Sequence, residues 1–220
     1  DDLEEGQSLL ASHVTDALRS HDHLIVLGGG HETAWGSYQG LSKHYQEKKI
    51  GIINLDAHLD LRNIGPDGPS SGTPFNQIRE LAPENFDYLC IGVAEEANTS
   101  ALFERAENWN VSIVKDTALI DDVGAADDYI DQMIERSDIV YLTIDIDLLS
   151  HSQAPGVSAP ATRGVSLAIV EYVLNHIFTS AKTANCPIPL MDIVEVSPPY
   201  DRDSVTAKTA ALLIRQYLCN

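Results

Sequence analysis

The stretch "KIGIINLDAHLD", residues 49–60, joins a nearly continuous apolar run to three polar side chains. A run without polar alternation is typical of a strand buried on both faces, and such strands belong to parallel sheets covered by helices. Asp56, His58 and Asp60 follow at a spacing of two residues. Because residues two apart on a strand point the same way, this spacing predicts that the three side chains project together from the strand's carboxyl end.

Similar runs and amphipathic stretches alternate along the whole chain. Further apolar, β-branched runs lie at 23–30, 87–93, 111–114, 138–147 and 190–196. Amphipathic stretches at 98–109, 124–136, 166–180 and 203–218 are predicted helices, and Asp203 and Ser204 are candidate caps of the last one. This alternation predicts an α/β three-layer sandwich, with a mostly parallel sheet and helices on both faces. No linker or repeat is visible, so residues 1–220 are predicted to form a single domain.

The amino-acid composition indicates which binding partners and which cellular compartment to expect. The 220 residues carry a formal net charge of −19, from 14 basic and 33 acidic side chains. This balance argues against a nucleic-acid partner, which requires a basic surface. No run is as apolar and long as a membrane span, and the start does not resemble a signal peptide. The three widely spaced cysteines fit a reducing compartment, so we expect a cytoplasmic protein without a membrane partner.

Two other predicted strands also end in polar side chains. "LGGGH" delivers His31 after a tight glycine turn, and "TIDID" places Asp145 and Asp147 two residues apart. Strand ends of a parallel sheet lie on one edge, where four close carboxylates repel each other unless protons or cations neutralise them. Carboxylate and imidazole ligands together suit Mn²⁺, with Fe²⁺, Co²⁺ or Zn²⁺ as alternatives. Two such ions, roughly 3.5–4 Å apart, would activate a water molecule.

The motifs "GGGH", "DAHLD" and "DIDLL" resemble the three metal-binding signatures of the ureohydrolase family, which holds arginase, agmatinase and formimidoylglutamase. The similarity extends from about Leu24 to the carboxyl terminus, with the signatures in order. The resemblance implies a hydrolase with two Mn²⁺ per chain, with Asp56 and Asp145 as bridging carboxylates, in an assembly of several copies. The implied metal ligands are His31, Asp56, His58, Asp60, Asp145 and Asp147. Family sheets have about eight strands and a longer amino-terminal segment, so we expect part of that segment to be missing here.

The loops indicate a branch of the family. Arginase-like and agmatinase-like chains carry a histidine where "SSGTPF" has Ser71. This loop, with "GGGHETAWGSYQGL" and "APGVSAPATRGV", most resembles formimidoylglutamase, which hydrolyses N-formimidoyl-L-glutamate to L-glutamate and formamide in histidine degradation. Glu195 in "VEVSP" matches the acidic residue that binds the cationic head of the substrate. Asp60 is the candidate for carrying a proton to the leaving amine.

Other substrate contacts rest on residue chemistry alone. Arg62 follows the "DAHLD" motif and can grip a substrate carboxylate with two hydrogen bonds, or form a salt bridge within its loop. Arg163 and Arg202 are weaker candidates for the same contact. Ser71 and Thr73 can hydrogen-bond the substrate or only shape the turn. His151, which stands after the "DIDLL" motif, is predicted to be a loop residue.

Three alternative functions differ from this interpretation in the product released, in the number of metal ions bound or in the absence of catalysis. A ureohydrolase acting on a guanidino compound, such as agmatine, guanidinobutyrate or arginine, would release urea. A zinc-dependent deacetylase of related fold would hold one metal ion and would not need all six ligands. A non-catalytic metal-binding or scaffold protein would show no hydrolysis, with or without added Mn²⁺.

Overall fold

The computed structural model describes residues 2–219, which contain one sheet and eight α-helices. The strands are β1 (Leu24–Leu27), β2 (Ile50–Leu55), β3 (Asp87–Val93), β4 (Ser112–Lys115), β5 (Ile139–Asp145) and β6 (Leu190–Val194). The helices are α1 (Leu3–Ala17), α2 (Thr33–His44), α3 (Pro74–Leu81), α4 (Ser100–Asn108), α5 (Asp116–Asp121), α6 (Asp127–Glu135), α7 (Leu167–Ala184) and α8 (Val205–Leu218). Within residues 2–219, no helix is both long and apolar enough to cross a membrane. The three cysteines are free thiols.

The six strands form one sheet in the order β1-β6-β5-β2-β3-β4, and every neighbouring pair is parallel. Strands β2 and β5 lie side by side at the centre and are buried along their whole length. All six predicted strands and the predicted α/β class are therefore confirmed. The described part of the chain supplies six of the roughly eight strands that the family resemblance implies.

Side chains alternate between two hydrophobic cores, one on each face of the sheet. On β2, Ile53 and Leu55 belong to one core, whereas Ile50 and Ile52 belong to the other. Buried residues of α5–α8 complete the first core, and those of α1–α4 complete the second. The period-two pattern of a strand thus divides the helices into two layers around the sheet, as the sequence predicts.

The start of the last helix differs from its prediction. Helix α8 begins at Val205, and the backbones of Asp203 and Ser204 are left-handed, with φ of 57° and 56°. The side chain of Ser204 makes no capping bond. Instead, the carboxylate of Asp201 accepts hydrogen bonds from the backbone N–H groups of Thr206 (2.8 Å) and Ala207 (3.0 Å). Asp201 therefore satisfies the free amides of the first turn, and the proposed caps were wrong.

Candidate metal centre

The polar residues predicted at three strand ends meet at one edge of the sheet. Asp145 is the last residue of β5, and Asp147 lies in the 3₁₀ turn of residues 146–148 that follows. Asp56 comes directly after the end of β2, and His31 follows the glycine run after β1. Because β1, β2 and β5 are parallel members of one sheet, their carboxyl ends lie on the same edge, where α/β proteins bind ligands.

The side chains form two groups of potential metal ligands. The first group contains His31, Asp56, Asp60 and Asp145, and the second contains Asp56, His58 and Asp147. Within each group, one donor atom from every residue lies within 4.8 Å of the others, so each group could hold one metal ion. Asp56 belongs to both groups, which suits the predicted bridging carboxylate. The bridging role of Asp145 stays a prediction, because Asp145 belongs to the first group only.

The convergence does not arise in the way that the spacing of two suggests. Strand β2 ends at Leu55, so Asp56, His58 and Asp60 lie in a loop. The backbone N–H of His58 donates to Asp56 Oδ1 (2.7 Å), and Asp60 has a left-handed backbone with φ of 47°. Such a backbone is costly for a residue other than glycine, and strained residues of this kind cluster at functional sites. The predicted meeting of these side chains is confirmed, but strand alternation as its cause was wrong.

The surroundings of one buried histidine nitrogen indicate whether the first group can hold a cation. His31 Nδ1 lies 3.0 Å from Asp56 Oδ2, 3.1 Å from Asp60 Oδ2 and 3.3 Å from Asp145 Oδ2. His31 is fully buried, and Nδ1 makes no hydrogen bond of acceptable geometry. Three carboxylate oxygens around one imidazole nitrogen, away from solvent, repel each other strongly unless a positive charge lies between them. The donor set therefore fits a divalent cation of the Mn²⁺ type.

The pKa values reflect the same crowding of charge. Burial opposes protonation of His58, but the carboxylates of Asp147 and Asp56 outweigh it and raise its pKa to about 12. The pKa of His31 is likewise raised by its carboxylate neighbours against the effect of burial. Burial and the charge of Asp56 raise the pKa of Asp60 to about 6. A proton on His58 therefore supplies part of the positive charge that a bound cation would bring.

Metal loading is consequently expected to release protons. Near pH 7, His58 holds a proton, because its neighbouring carboxylates raise its pKa to about 12. A metal ion needs the unprotonated nitrogen and must displace this proton. Titration calorimetry with Mn²⁺ in two buffers of different ionisation enthalpy should show net proton release. Identical heats in both buffers would contradict the assignment of His58 as a ligand.

Polar residues that sequence reasoning missed lie beneath the two groups. Cys90, Asn54, Thr143 and Asp192 occupy neighbouring register positions on β3, β2, β5 and β6, and all four are fully buried. Asn54 Nδ2 donates to Asp56 Oδ2 (3.0 Å), and Thr143 Oγ1 lies 3.0 Å from His31 Nε2. These contacts orient the candidate ligands. For Asn54 and Thr143, the available signal was a polar residue two positions before an aspartate in an otherwise apolar strand.

Glu195 lies beside the first group. It follows β6 with a left-handed backbone, φ of 64°. Its Oε1 accepts a hydrogen bond from the backbone N–H of His31 (2.9 Å), and Oε2 accepts one from the hydroxyl of Ser158 (3.2 Å). Both carboxylate oxygens are thereby held in place, while each keeps a further lone pair for a ligand.

The model of the arginase family matches residues 2–219. The chain belongs to the arginase family. It is 46% identical over 220 residues to a formimidoylglutamase of Hahella chejuensis, covering 96% of this chain and 66% of that protein. The chain thus spans about two thirds of the length of this relative, and the resemblance stated from the sequence is confirmed.

Solved structures share the fold of this arginase-family chain. The formimidoylglutamase of Bacillus subtilis superposes with a TM-score of 0.87 at 22% identity, covering 98% of this chain and 66% of that one. The formiminoglutamase of Trypanosoma cruzi with Mn²⁺ gives a TM-score of 0.83 at 22% identity, covering 99% and 71%. At these identities the likeness concerns the fold alone.

The remaining substrate candidates of this arginase-family chain lie in different surroundings. Arg62 is exposed, and the structure of residues 2–219 shows no ion pair for it. Oγ1 of buried Thr73 lies 2.8 Å from Ser70 O and 3.0 Å from Gln77 Oε1, and it accepts a hydrogen bond from the backbone N–H of Ser70 (3.0 Å), which favours the turn-shaping role. Ser71 is partly exposed. The contacts of Arg62 and Ser71 with a substrate stay predictions.

A cavity of about 260 Å³ opens beside His58, and Pro160 and Arg163 form part of its wall. Arg163, one of the weaker candidates, is already paired with Asp116 (2.9 Å) and Glu96 (3.2 Å). Two acidic partners leave this guanidinium with little net attraction for a further carboxylate. The other weak candidate, Arg202, and the predicted loop residue His151 are both exposed.

Proposed function

We propose that this chain hydrolyses N-formimidoyl-L-glutamate to L-glutamate and formamide at a centre of two Mn²⁺ ions. The observation that carries the proposal is the pair of donor groups that share Asp56. Beside them, the carboxylate of Glu195 accepts a hydrogen bond from the backbone N–H of His31. The similarity to the Hahella chejuensis formimidoylglutamase supports the choice of substrate.

The metal assignment rests on the donor set. Four carboxylates balance the charge of two divalent ions, and imidazole with carboxylate favours Mn²⁺ among the alternatives. The Trypanosoma cruzi formiminoglutamase structure with Mn²⁺ supports the same ion. When bound, two such ions supply a water molecule activated near neutral pH. The proposed ligands are His31, Asp56, His58, Asp60, Asp145 and Asp147.

Glu195 is proposed to bind the formimidoyl end of the substrate. An amidinium group is planar and carries N–H donors that match the two oxygens of a carboxylate. The hydrogen bonds from His31 N–H and Ser158 fix the orientation of that carboxylate. The reacting carbon is thereby held in one position relative to the donor groups, which favours attack by water.

Asp60 is proposed to carry the proton. The oxygen of water adds to the formimidoyl carbon, and the bond from this carbon to the glutamate nitrogen breaks. The leaving nitrogen must gain a proton to depart as an amine. As a member of the first donor group, Asp60 would take the proton that the water gives up and pass it to the leaving nitrogen. Ser71, which stands where arginase-like chains carry a histidine, cannot serve as an acid near neutral pH.

Arg62 is proposed to bind the glutamate carboxylates. It lies on the loop that follows the metal motif, and it has no ion pair within residues 2–219 that would compete for its guanidinium. Ser71 is proposed to add a hydrogen bond. Assembly into homo-oligomers and a cytoplasmic location complete the proposal.

A side-by-side assay tests the function. Manganese-loaded protein is incubated separately with N-formimidoyl-L-glutamate, arginine, agmatine and guanidinobutyrate, and glutamate, formamide and urea are measured. We expect equal amounts of glutamate and formamide from the first compound, and no activity without Mn²⁺. Urea from a guanidino compound, with no glutamate from formimidoylglutamate, would assign the chain to the alternative ureohydrolase activity.

A further inference from the structure

Asn98 lies outside both donor groups, but its side chain is bonded to the loop that carries three of their members. It follows the 3₁₀ turn Glu95–Ala97, which comes after β3. Its Nδ2 donates to Ala57 O (2.9 Å) and to Ala94 O (2.8 Å). Its Oδ1 accepts a hydrogen bond from the backbone N–H of Leu59 (2.9 Å). Both amide hydrogens and the oxygen of this carboxamide are thus engaged.

Two of these bonds lie on either side of a candidate metal ligand. Ala57 O belongs to the peptide unit that precedes His58, and the N–H of Leu59 belongs to the unit that follows it. Because peptide units are planar, the orientations of these two units set both soft dihedrals of His58. Asn98 therefore holds the backbone of His58 from both sides, and its bond to Ala94 O fixes the carboxamide to the residue after β3.

The peptide unit before His58 also reaches Asp56. The N–H of His58 lies in this unit and donates to Asp56 Oδ1 (2.7 Å). His58 Nδ1 lies 3.5 Å from Asp56 Oδ1 and 3.3 Å from Asp147 Oδ2. These three residues make up the second donor group. The peptide units that Asn98 holds thus place two of its three members, whereas the first group shares only Asp56.

The loop needs this support because β2 ends before it, at Leu55. Ala57 O also accepts the backbone N–H of Ala94 (3.0 Å), so the peptide before His58 keeps one contact with the segment after β3. The N–H of Leu59 is bonded to Asn98, and Leu59 is fully buried. Buried peptide groups are nearly always paired. The carboxamide of Asn98 offers the same donor and acceptor as a peptide, so it replaces a neighbouring strand here.

We propose that Asn98 is a positioning residue for the second donor group, which holds His58 and Asp56 in the orientation that binds the second metal ion. This inference rests on the metal binding proposed above. The three hydrogen bonds of Asn98 all go to backbone atoms, so it acts through the peptide units and not as a ligand. Its loss should weaken the ion of the second group and spare that of the first.

Metal affinities of two matched variants test this selectivity. Asn98→Ala removes all three hydrogen bonds. Asn175→Ala is the control, since Asn175 lies on α7 and its Oδ1 accepts a hydrogen bond from Gln216 (2.8 Å). The metal-free full chains are titrated with Mn²⁺ by calorimetry below their unfolding temperatures. We expect one ion to bind Asn98→Ala about 10–100-fold more weakly, as for other groups that orient metal ligands, and the other to keep its affinity. Asn175→Ala should keep both affinities.

Two further measurements identify the weakened ion. At two equivalents of Mn²⁺, electron paramagnetic resonance should show a coupled pair of ions in the wild-type protein and mainly isolated ions in Asn98→Ala. Anomalous diffraction from crystals of this variant should show a strong peak in the first donor group and a depleted peak beside His58. Depletion of the first group instead would overturn the inference.

Other outcomes separate positioning from a general effect on folding. Unchanged Mn²⁺ affinities in folded Asn98→Ala, even with a lower unfolding temperature, would mean a structural role only and would overturn the inference. An equal loss for both ions, or the same loss in Asn175→Ala, would overturn it as well. Failure of the wild-type protein to bind Mn²⁺ would contradict the proposed function and the inference with it.

The hydrogen bond from Leu59 to Asn98 can also be tested in the unaltered protein, which keeps the inference testable if Asn98→Ala does not fold. In the metal-free wild-type protein, the amide of Leu59 should exchange its hydrogen at least about 100-fold more slowly than an unprotected amide. Unprotected exchange would show that the loop is not held before metal binds and would overturn the positioning role.

Discussion

Replacing Asp56 with asparagine is expected to abolish the paired metal centre and to lower kcat/KM for N-formimidoyl-L-glutamate by roughly 10³-fold or more. Asp56 is the one residue common to both donor groups, and it lies 3.0 Å from His31 Nδ1 and 3.5 Å from His58 Nδ1. Asparagine has nearly the same shape, but it removes the negative charge and one of the two donor oxygens. Elemental analysis of the purified variant should find fewer than two Mn²⁺ ions per chain.

Asp138→Asn is the matched control for this substitution. Asp138 precedes β5 at the opposite end of the sheet, where its Oδ2 accepts a hydrogen bond from the backbone of Lys49 (2.8 Å). This variant should keep both ions and wild-type turnover. Two tightly bound ions in Asp56→Asn, or an equal loss of metal in Asp138→Asn, would contradict the assignment of Asp56 to both groups.

Glu195→Gln is expected to lower kcat/KM about 100-fold while both metal ions stay bound. Glutamine can still accept the hydrogen bond from the backbone N–H of His31, so the local structure should persist. It lacks the negative charge that attracts an amidinium and can no longer accept two of its N–H donors. Steady-state kinetics and a metal count on the same preparation measure the two effects separately.

Ser158→Ala provides a graded comparison. It removes the single hydrogen bond to Oε2 and leaves the charge of Glu195 in place, so the loss should stay within about 10-fold. Near-wild-type kinetics of Glu195→Gln would exclude Glu195 as the group that binds the cationic end. Loss of metal from that variant would instead mean that Glu195 serves the donor groups.

The parallel sheet and the convergence of the candidate metal ligands could be predicted, because both follow from the order of apolar and polar residues along the sequence. Buried strands such as β2 and β5 are continuous apolar runs, and a parallel sheet brings their carboxyl ends to one edge. Polar residues placed directly after such runs therefore meet, whatever path the chain takes between them. The family resemblance added the roles of Glu195 and of the loops, which spacing alone does not indicate.

Other features depend on tertiary contacts that the order of apolar and polar residues does not reveal. The backbone of Asp60 is left-handed, so alternation along a strand does not describe the direction of its side chain. The pairing of Thr143 with Asp192 requires the register between β5 and β6, which forms only when distant segments meet. The cap of α8 likewise comes from Asp201, two residues before the predicted Asp203, because the chain kinks at Asp203.

The most direct test of the paired metal centre is anomalous X-ray diffraction from crystals of the manganese-loaded protein. Two anomalous peaks are expected. One should lie among His31, Asp56, Asp60 and Asp145, and the other among Asp56, His58 and Asp147. A single peak in only one of these groups, or manganese bound away from Asp56, would contradict the account.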